Sequence, residues 1–262
     1  MDVRWSGTRR AVMALTAVAG LGMLTLTGAP VRAQDSTPEA MMVSCTEVLG
    51  IGAEGDACVN VVHASPDAPA VDIFVNGERA VENLAFGAAT GWVALPAGEH
   101  QVQVAPTGEE ADAAVIDAMV TLEGGMAYEV AAVGPVAEIT AAIFPVDLAV
   151  SADMENAAVR VVHASPDAPA VDVAVTGGDV LIENLAFPDS SDYLMVPAGA
   201  YDLEVRPTGT TDVALALPGV ELMGGNAYSV YAIGTVADGT LTVLPIVAGA
   251  PMEAEQEATP TA

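Results

Sequence analysis

The chain has 262 residues, of which 52% are hydrophobic and 16% charged, and its formal net charge at pH 7 is −28. It contains no lysine, and so acidic a surface repels nucleic-acid phosphate and anionic lipid, which excludes both as expected partners. The apolar content is high enough to build a packed core, and the length suits two domains.

Residues 1–33 have the organisation of a signal peptide. Arginines precede an apolar stretch over residues 11–26, and small residues favour cleavage ahead of Gln34. The pair Arg9-Arg10 fits twin-arginine export as well as the ordinary secretory route, and an uncleaved anchor is the other alternative. We therefore expect a secreted or cell-surface protein whose mature chain has no membrane span. Cleavage leaves three arginines against 34 acidic residues.

A polar, proline-containing stretch over residues 34–44 is typical of a flexible leader. The two cysteines of the chain, Cys45 and Cys58, follow it. In an oxidising compartment, two cysteines this close are expected to form a disulfide that closes a small loop. Two thiolates alone would leave a metal ion under-coordinated, so we interpret the pair as a structural bond.

Short strands separated by turn residues begin near residue 59. Val59–His63 is rich in β-branched residues, the loop 64–70 contains two prolines, and Val71–Asn76 alternates before the hairpin dipeptide Asn76-Gly77. Further strands are predicted at 84–86, 91–95, 100–105, 113–122, 127–133 and 138–145. So many short strands, without an amphipathic helix, are typical of a β-sandwich.

The same elements return about one hundred residues later. Residues 61–72, Val-Val-His-Ala-Ser-Pro-Asp-Ala-Pro-Ala-Val-Asp, are identical to residues 161–172, which indicates internal duplication. Shorter repeats are Asn-Leu-Ala-Phe at 83–86 and 184–187, Pro-Ala-Gly at 96–98 and 197–199, Pro-Thr-Gly at 106–108 and 207–209, and Phe-Pro at 144–145 with Leu-Pro at 244–245. The hairpin after Gly177 contains one inserted residue.

The duplication predicts two all-β domains, residues 45–147 and 157–248. The linker, residues 148–156, is short, so we expect the two sandwiches to touch end to end. Residues 249–262 contain few large apolar side chains and are expected to form a disordered acidic tail.

The twelve-residue motif, followed by a Leu-Pro-Ala-Gly turn and a Gly-x-x-Tyr strand, resembles the DUF4397 family of exported bacterial and archaeal domains. The resemblance covers most of residues 57–147 and 157–247, with minor departures where Tyr193 replaces Trp92 and an alanine replaces Phe74. It implies tandem immunoglobulin-like antiparallel β-sandwiches in secreted or surface proteins. Because the family has no assigned function, it implies no catalytic residue.

Each copy of the motif concentrates side chains that carry chemistry. The candidate loop and ligand-binding residues are His63, Ser65, Asp67 and Asp72 in the first copy and His163, Ser165, Asp167 and Asp172 in the second. The simplest interpretation is structural, because such loops close through side-chain-to-backbone hydrogen bonds. One imidazole and two carboxylates would form a calcium site only if the loop folded back. A Ser-His-Asp hydrolase would need an oxyanion hole and a pocket that nothing nearby supplies.

Aromatic residues are interpreted as parts of the fold. Tyr128 and Tyr228 follow double-glycine turns, where a tyrosine corner would bond back to the chain. Trp92 and Tyr193 are expected to pack in or beside the core, with stacking on a sugar as the alternative. We therefore expect an exported, non-catalytic binding or spacer protein with an extracellular ligand and no cofactor. A calcium-dependent binding module is the first alternative, and a hydrolase is the second.

Overall fold

A computed structural model describes residues 44–249, and this part of the protein is almost entirely β. The first eight strands are β1 (Ala57–His63), β2 (Val71–Val75), β3 (Glu78–Leu84), β4 (Val93–Leu95), β5 (Gly98–Pro106), β6 (Ile116–Leu122), β7 (Ala127–Val133) and β8 (Thr140–Val146). The second eight are β9 (Asn156–His163), β10 (Val171–Val175), β11 (Val180–Leu185), β12 (Leu194–Pro197), β13 (Gly199–Pro207), β14 (Leu215–Leu222), β15 (Asn226–Ile233) and β16 (Thr242–Gly249).

One short helix, α1 (Cys45–Leu49), precedes the strands, and single 3₁₀ turns lie at Ala111–Ala113, Val136–Glu138 and Ala149–Ala152. The predicted signal peptide lies outside the described residues, as do the leader before Ser44 and the tail after Gly249.

Each half of the described chain is a sandwich of two four-stranded sheets. In the first half, the sheet β4-β1-β7-β8 packs on the sheet β3-β2-β5-β6, and in the second β12-β9-β15-β16 packs on β11-β10-β13-β14. The predicted fold class, two tandem all-β sandwiches, is confirmed. Pairing is antiparallel except between β1 and β7 and between β9 and β15. A parallel pair is possible there because a long connection through the opposite sheet separates the two strands.

The hairpin predicted at Asn76-Gly77 joins β2 to β3. Both residues have positive φ, 53° and 81°, as a two-residue hairpin turn requires. The strand predicted at 84–86 is wrong in position, because the tight turn returns the chain at once and β3 begins at Glu78. The sequence pattern did not predict a strand at this position, because β3 is an edge strand whose side chains are mostly polar and exposed.

The two sandwiches pack face to face, so the expected end-to-end contact is wrong. The sheets that contain β1 and β9 each have a second face, which points away from the core of their own sandwich. Small and branched apolar side chains cover these two faces and pack against each other in two clusters. Strand β7 shows why, because six of its seven residues are buried and it therefore has a neighbour on both faces. Leu148 and Val150 of the linker are buried in the same interface.

Candidate functional site

His63 closes the first copy of the repeated motif onto its own backbone. The imidazole is fully buried at the end of β1. Its Nε2–H donates to the carbonyl of Pro69 at 3.0 Å, and its Nδ1 accepts the N–H of Ser65 at 3.4 Å. Its ring packs edge-on against Phe86 of the Asn-Leu-Ala-Phe repeat. Burial lowers the pKa of His63 and so favours the neutral ring, and both ring nitrogens have hydrogen-bond partners.

The second copy repeats this arrangement around His163. Its Nε2–H donates to Pro169 at 3.1 Å, its Nδ1 accepts the N–H of Ser165 at 3.4 Å, and Phe187 takes the place of Phe86. The two histidines therefore make the same contacts in both sandwiches.

The middle aspartate of each motif ties its loop to the loop after the seventh strand of the same domain. Asp67 accepts the backbone N–H of Val136 at 2.8 Å. Asp167 accepts the N–H groups of Val236 and Ala237, both at 2.9 Å. Burial alone would raise the pKa of Asp167, but these backbone donors hold it below its usual range. The two loops are thus held together by charge-assisted hydrogen bonds.

The last aspartate of the first motif collects three parts of the repeat. Asp72 is 1% exposed and accepts the N–H of Asn83 at 2.8 Å and that of Gly108 at 3.1 Å. Arg79 also donates to it at 2.9 Å. The hydrogen bond from Asn83 is the largest cause of the lowered pKa of Asp72. Burial would raise this pKa, but the hydrogen bond from Gly108 and the positive charge of Arg79 lower it further.

Asp172 takes the same position in the second sandwich without an arginine bond. It accepts the N–H groups of Asn184 at 2.8 Å and Gly209 at 3.0 Å, and the Thr208 hydroxyl donates to it at 3.0 Å. The bond from Asn184 is the first cause of its lowered pKa. The twelve-residue motif, Asn-Leu-Ala-Phe and Pro-Thr-Gly are therefore repeated together because they meet at one carboxylate.

These contacts limit what the motif residues do chemically. In the described chain Ser65 Oγ has no hydrogen-bond partner, and Ser165 Oγ donates to Asp167 at 3.4 Å, so neither hydroxyl is bonded to an imidazole as a nucleophile–base pair requires. Within residues 44–249, no group of three or more His, Cys, Asp or Glu side chains is placed to hold a metal ion. Calcium binding stays an alternative for calorimetry to test.

A buried polar cluster between the two sandwiches was missed by the sequence reasoning. Arg160 of β9 and Glu129 of β7 form an ion pair at 3.2 Å, with 4% and 1% of their side chains exposed. The Tyr231 hydroxyl donates to the same carboxylate oxygen at 2.7 Å. Arg160 also donates to Ser229 Oγ at 2.8 Å and to the carbonyl of Pro145 at 2.6 Å.

Burial dominates the electrostatics of this cluster. It raises the pKa of Glu129, although Arg160 and the hydrogen bond from Tyr231 work in the opposite direction. It also raises the pKa of Tyr231, which the carboxylate of Glu129 raises further. One sequence signal pointed to the cluster: Arg160 is the only charged residue in the apolar strand β9, and its counterpart in the first repeat is Asn60.

The aromatic residues at the matching positions 92 and 193 both lie in this interface. Trp92 Nε1–H donates across it to the carbonyl of Val247 at 2.8 Å. The guanidinium of Arg160 lies 4.9 Å from the ring centroid of Tyr193, a cation–π contact. Both rings are half-buried between the domains, as the packing interpretation requires.

The remaining predicted residues have local partners. Cys45 and Cys58 form the predicted disulfide, which fixes α1 beside the interface. The hydroxyls of Tyr128 and Tyr228 each accept a backbone N–H five residues upstream, at 3.2 and 2.9 Å. This geometry corresponds to a tyrosine corner.

Comparisons with known proteins agree with the duplication. Residues 57–174 and 157–258 match DUF4397, a domain of unknown function. None of the curated proteins matches the sequence. In the described range, no helix is long and apolar enough to cross a membrane.

Solved structures match only weakly. The TIE protein of Bacillus anthracis is 10% identical over 70% of this chain, with a TM-score of 0.22, and the match spans only 34% of that protein. A proposed cell adhesion protein from Bacteroides ovatus is 10% identical over 77% of this chain and 100% of its own, with a TM-score of 0.23. A family CBM26 module from Eubacterium rectale Amy13K, in complex with maltoheptaose, is 12% identical over 72% of this chain and 95% of its own, with a TM-score of 0.23. At such scores none of them bears on the function.

Proposed function

The chain belongs to the DUF4397 family, whose function is unknown, and we propose that it acts outside the cytoplasm as a rigid, non-catalytic binding or spacer module of the cell envelope or its surroundings. The observation that supports this is the buried interface between the sandwiches. Its apolar clusters and the pair Glu129–Arg160 join both domains into one body. The two outer sheets are those away from this interface, β3-β2-β5-β6 and β11-β10-β13-β14. A rigid body of two domains holds them at a constant separation, which suits a spacer or a binding platform.

The chemistry of the repeated motif supports a non-catalytic role. In both copies the imidazole bonds to the backbone of its own loop, and the middle carboxylate accepts a backbone N–H of the neighbouring loop. Rigid loops at the ends of strands are the positions at which sandwiches present binding surfaces. We therefore expect the ligand to contact the surface that the motif loops and the neighbouring loops form.

The rigid module is tested by distance measurements between spin labels on the two outer sheets. Met119 and Ala216 are exposed on β6 and β14, and a Met119→Cys/Ala216→Cys variant places one label on each sandwich. We expect a single narrow distance distribution, with one cooperative transition in calorimetry. A broad distribution or two independent melting transitions would contradict the proposal.

Export and the two alternatives have separate tests. Residues 1–33 fused to a reporter that folds only in an oxidising compartment should export it, and failure would contradict the location. Calorimetry with a chelator and with millimolar calcium should give the same midpoint, whereas stabilisation by calcium would favour the calcium module. A screen of ester and peptide substrates should show no turnover, and activity lost in Ser65→Ala and Ser165→Ala would favour the hydrolase.

A further inference from the structure

The second sandwich contains an apolar cavity of about 370 Å³ between its two sheets. Aliphatic side chains from both sheets form its wall, among them Val161, Val205, Leu217, Val220 and Val230. Pockets for small molecules have volumes of roughly 300–1,000 Å³ and mostly apolar walls. The cavity is thus large enough for a ligand, although it occupies the position of a hydrophobic core.

The first sandwich provides a comparison, because the same positions are closed there. Val120 and Val130 are buried, at 3% and 5% exposure, whereas their counterparts Val220 and Val230 remain partly exposed. The space between the two sheets is therefore filled by side chains in the first sandwich, whereas a cavity remains there in the second.

A bulge in β14 accounts for the difference. In the first sandwich, Gln101 pairs with Met119 without interruption. In the second, Asp202 faces two residues, Pro218 and Gly219, the register shifts, and the Gly219 N–H donates to the Asp202 carboxylate at 2.8 Å. The φ of Gly219 is +65°, in the left-handed region. Such a bulge bends its strand, and β14 forms one edge of the cavity.

The wall determines which chemistry the cavity accepts. Among the described residues that line it, Glu221 is the charged one and is exposed at the rim, and none is an arginine or a histidine. The Tyr201 hydroxyl is committed to the carbonyl of Pro197 at 2.7 Å, and that of Tyr228 already accepts a backbone N–H. A ligand therefore gains by burying hydrocarbon, and an anionic head group would meet the carboxylate at the rim.

We propose that the second sandwich binds the aliphatic chain of an uncharged single-chain lipid, a long-chain alcohol or a monoacylglycerol, between its sheets, and that the first sandwich does not. This inference rests on the proposed binding role and gives it a ligand class. The chain enters the space between β14 and β16 and replaces the core contacts that the bulge removes.

Titration calorimetry of the whole secreted chain with a homologous series of linear alcohols, from hexanol to dodecanol, tests the proposal. Each methylene buried in an apolar site contributes about 0.8 kcal/mol, roughly a fourfold gain in affinity. We expect this gain at each step until the cavity is full, and weaker binding of the fatty acid of equal length. Monoacylglycerols of the same chain lengths should follow the alcohols. Methyl NMR should show shifts confined to valines and leucines of the second sandwich.

Two variants locate the site. Val230→Phe fills the cavity and should reduce the affinity about tenfold or more, while Val213→Phe, an equal change at an exposed position away from the wall, should leave it unchanged. If Val230→Phe does not fold, Val220→Phe decides in its place.

The absence of saturable binding by any alcohol would overturn the lipid site, as would affinity retained in a folded cavity-filling variant or equal methyl shifts in both sandwiches. None of these results changes the distance distribution between the outer sheets. The lipid site and the rigid module therefore stand or fail separately.

Discussion

Removal of the Arg160 guanidinium should destabilise the protein more than loss of either other arginine in residues 44–249. In Arg160→Ala, the carboxylate of Glu129 stays buried, loses its cationic partner and keeps the hydrogen bond from the Tyr231 hydroxyl. Breaking a buried ion pair from one side costs about 3–5 kcal/mol. For a chain of this length that lowers the thermal midpoint by roughly 6–20 °C.

Arg79→Ala is the matched control. Its side chain is 26% exposed, and the carboxylate that it leaves behind keeps two backbone donors. We therefore expect a loss of about 1–2 kcal/mol. Both variants remove one guanidinium, so the difference between their midpoints measures the effect of burial.

A double-mutant cycle with Glu129→Gln separates charge from packing. Gln removes the charge that Arg160→Ala leaves unpaired, so the double variant should recover at least about 1 kcal/mol relative to additivity. Burial raises the pKa of Glu129 and Arg160 lowers it, so removal of Arg160 raises this pKa further, and the folded variant takes up a proton at a higher pH than the folded wild type. The cost of Arg160→Ala should therefore be greater at about pH 8 than at about pH 5. Additive losses and a penalty independent of pH would refute the reasoning.

Three further predictions concern the repeated motif and the disulfide. Replacing Cys45 and Cys58 by alanine should lower the free energy of unfolding by about 2–3 kcal/mol in urea titrations, because the bond closes a loop with a sequence separation of 13. Because burial lowers the pKa of His63, the unfolded ring takes up a proton before the folded one, so stability should fall as the pH drops below about 6.5, and His63→Gln should flatten this profile. Asp72→Ala should lower the thermal midpoint more than Asp72→Asn, because alanine leaves two buried backbone N–H groups unpaired.

Each of these expectations has a contrary outcome. Equal urea midpoints for the reduced and oxidised wild type would contradict the first. A wild-type profile that stays level between neutral pH and the onset of acid unfolding would contradict the second. Equal midpoints for the two variants at position 72 would show that its backbone bonds contribute nothing, contrary to the third.

Local signals allowed much of the fold to be predicted. The hairpin dipeptide at 76–77, the tyrosine positions and the duplicated motif all act over short distances, and the structure places strands beside each of them. The exact match between residues 61–72 and 161–172 was informative because each copy buries the same imidazole and the carboxylate of its last aspartate, Asp72 or Asp172.

The relation between the domains was not predictable in this way. A strand buried against its own core and a strand buried on both faces contain the same apolar residue types. The sequence match between Phe144-Pro145 and Leu244-Pro245 also implied equivalent positions in the last strands, which these residues do not have. Val133 pairs with Thr140 in the first sandwich, but Ile233 pairs with Thr242 in the second, so the last strand is displaced by two residues. A slip of two preserves the face that each side chain occupies, which is why the sequence pattern concealed it.

The interface shows how duplication produced a specific pair from two similar faces. At one position the repeats carry Asn60 and Arg160, and at another Glu129 and Ser229. Only the combination of the first domain with the second places the carboxylate beside the guanidinium. Two first domains packed in this way would bury two carboxylates without an arginine, and two second domains would bury two guanidiniums without an acid, each at a cost of several kcal/mol. The divergence of these positions therefore favours the pairing of a first domain with a second domain over the pairing of like domains, and it directs the buried faces inward and leaves the outer sheets to meet the surroundings.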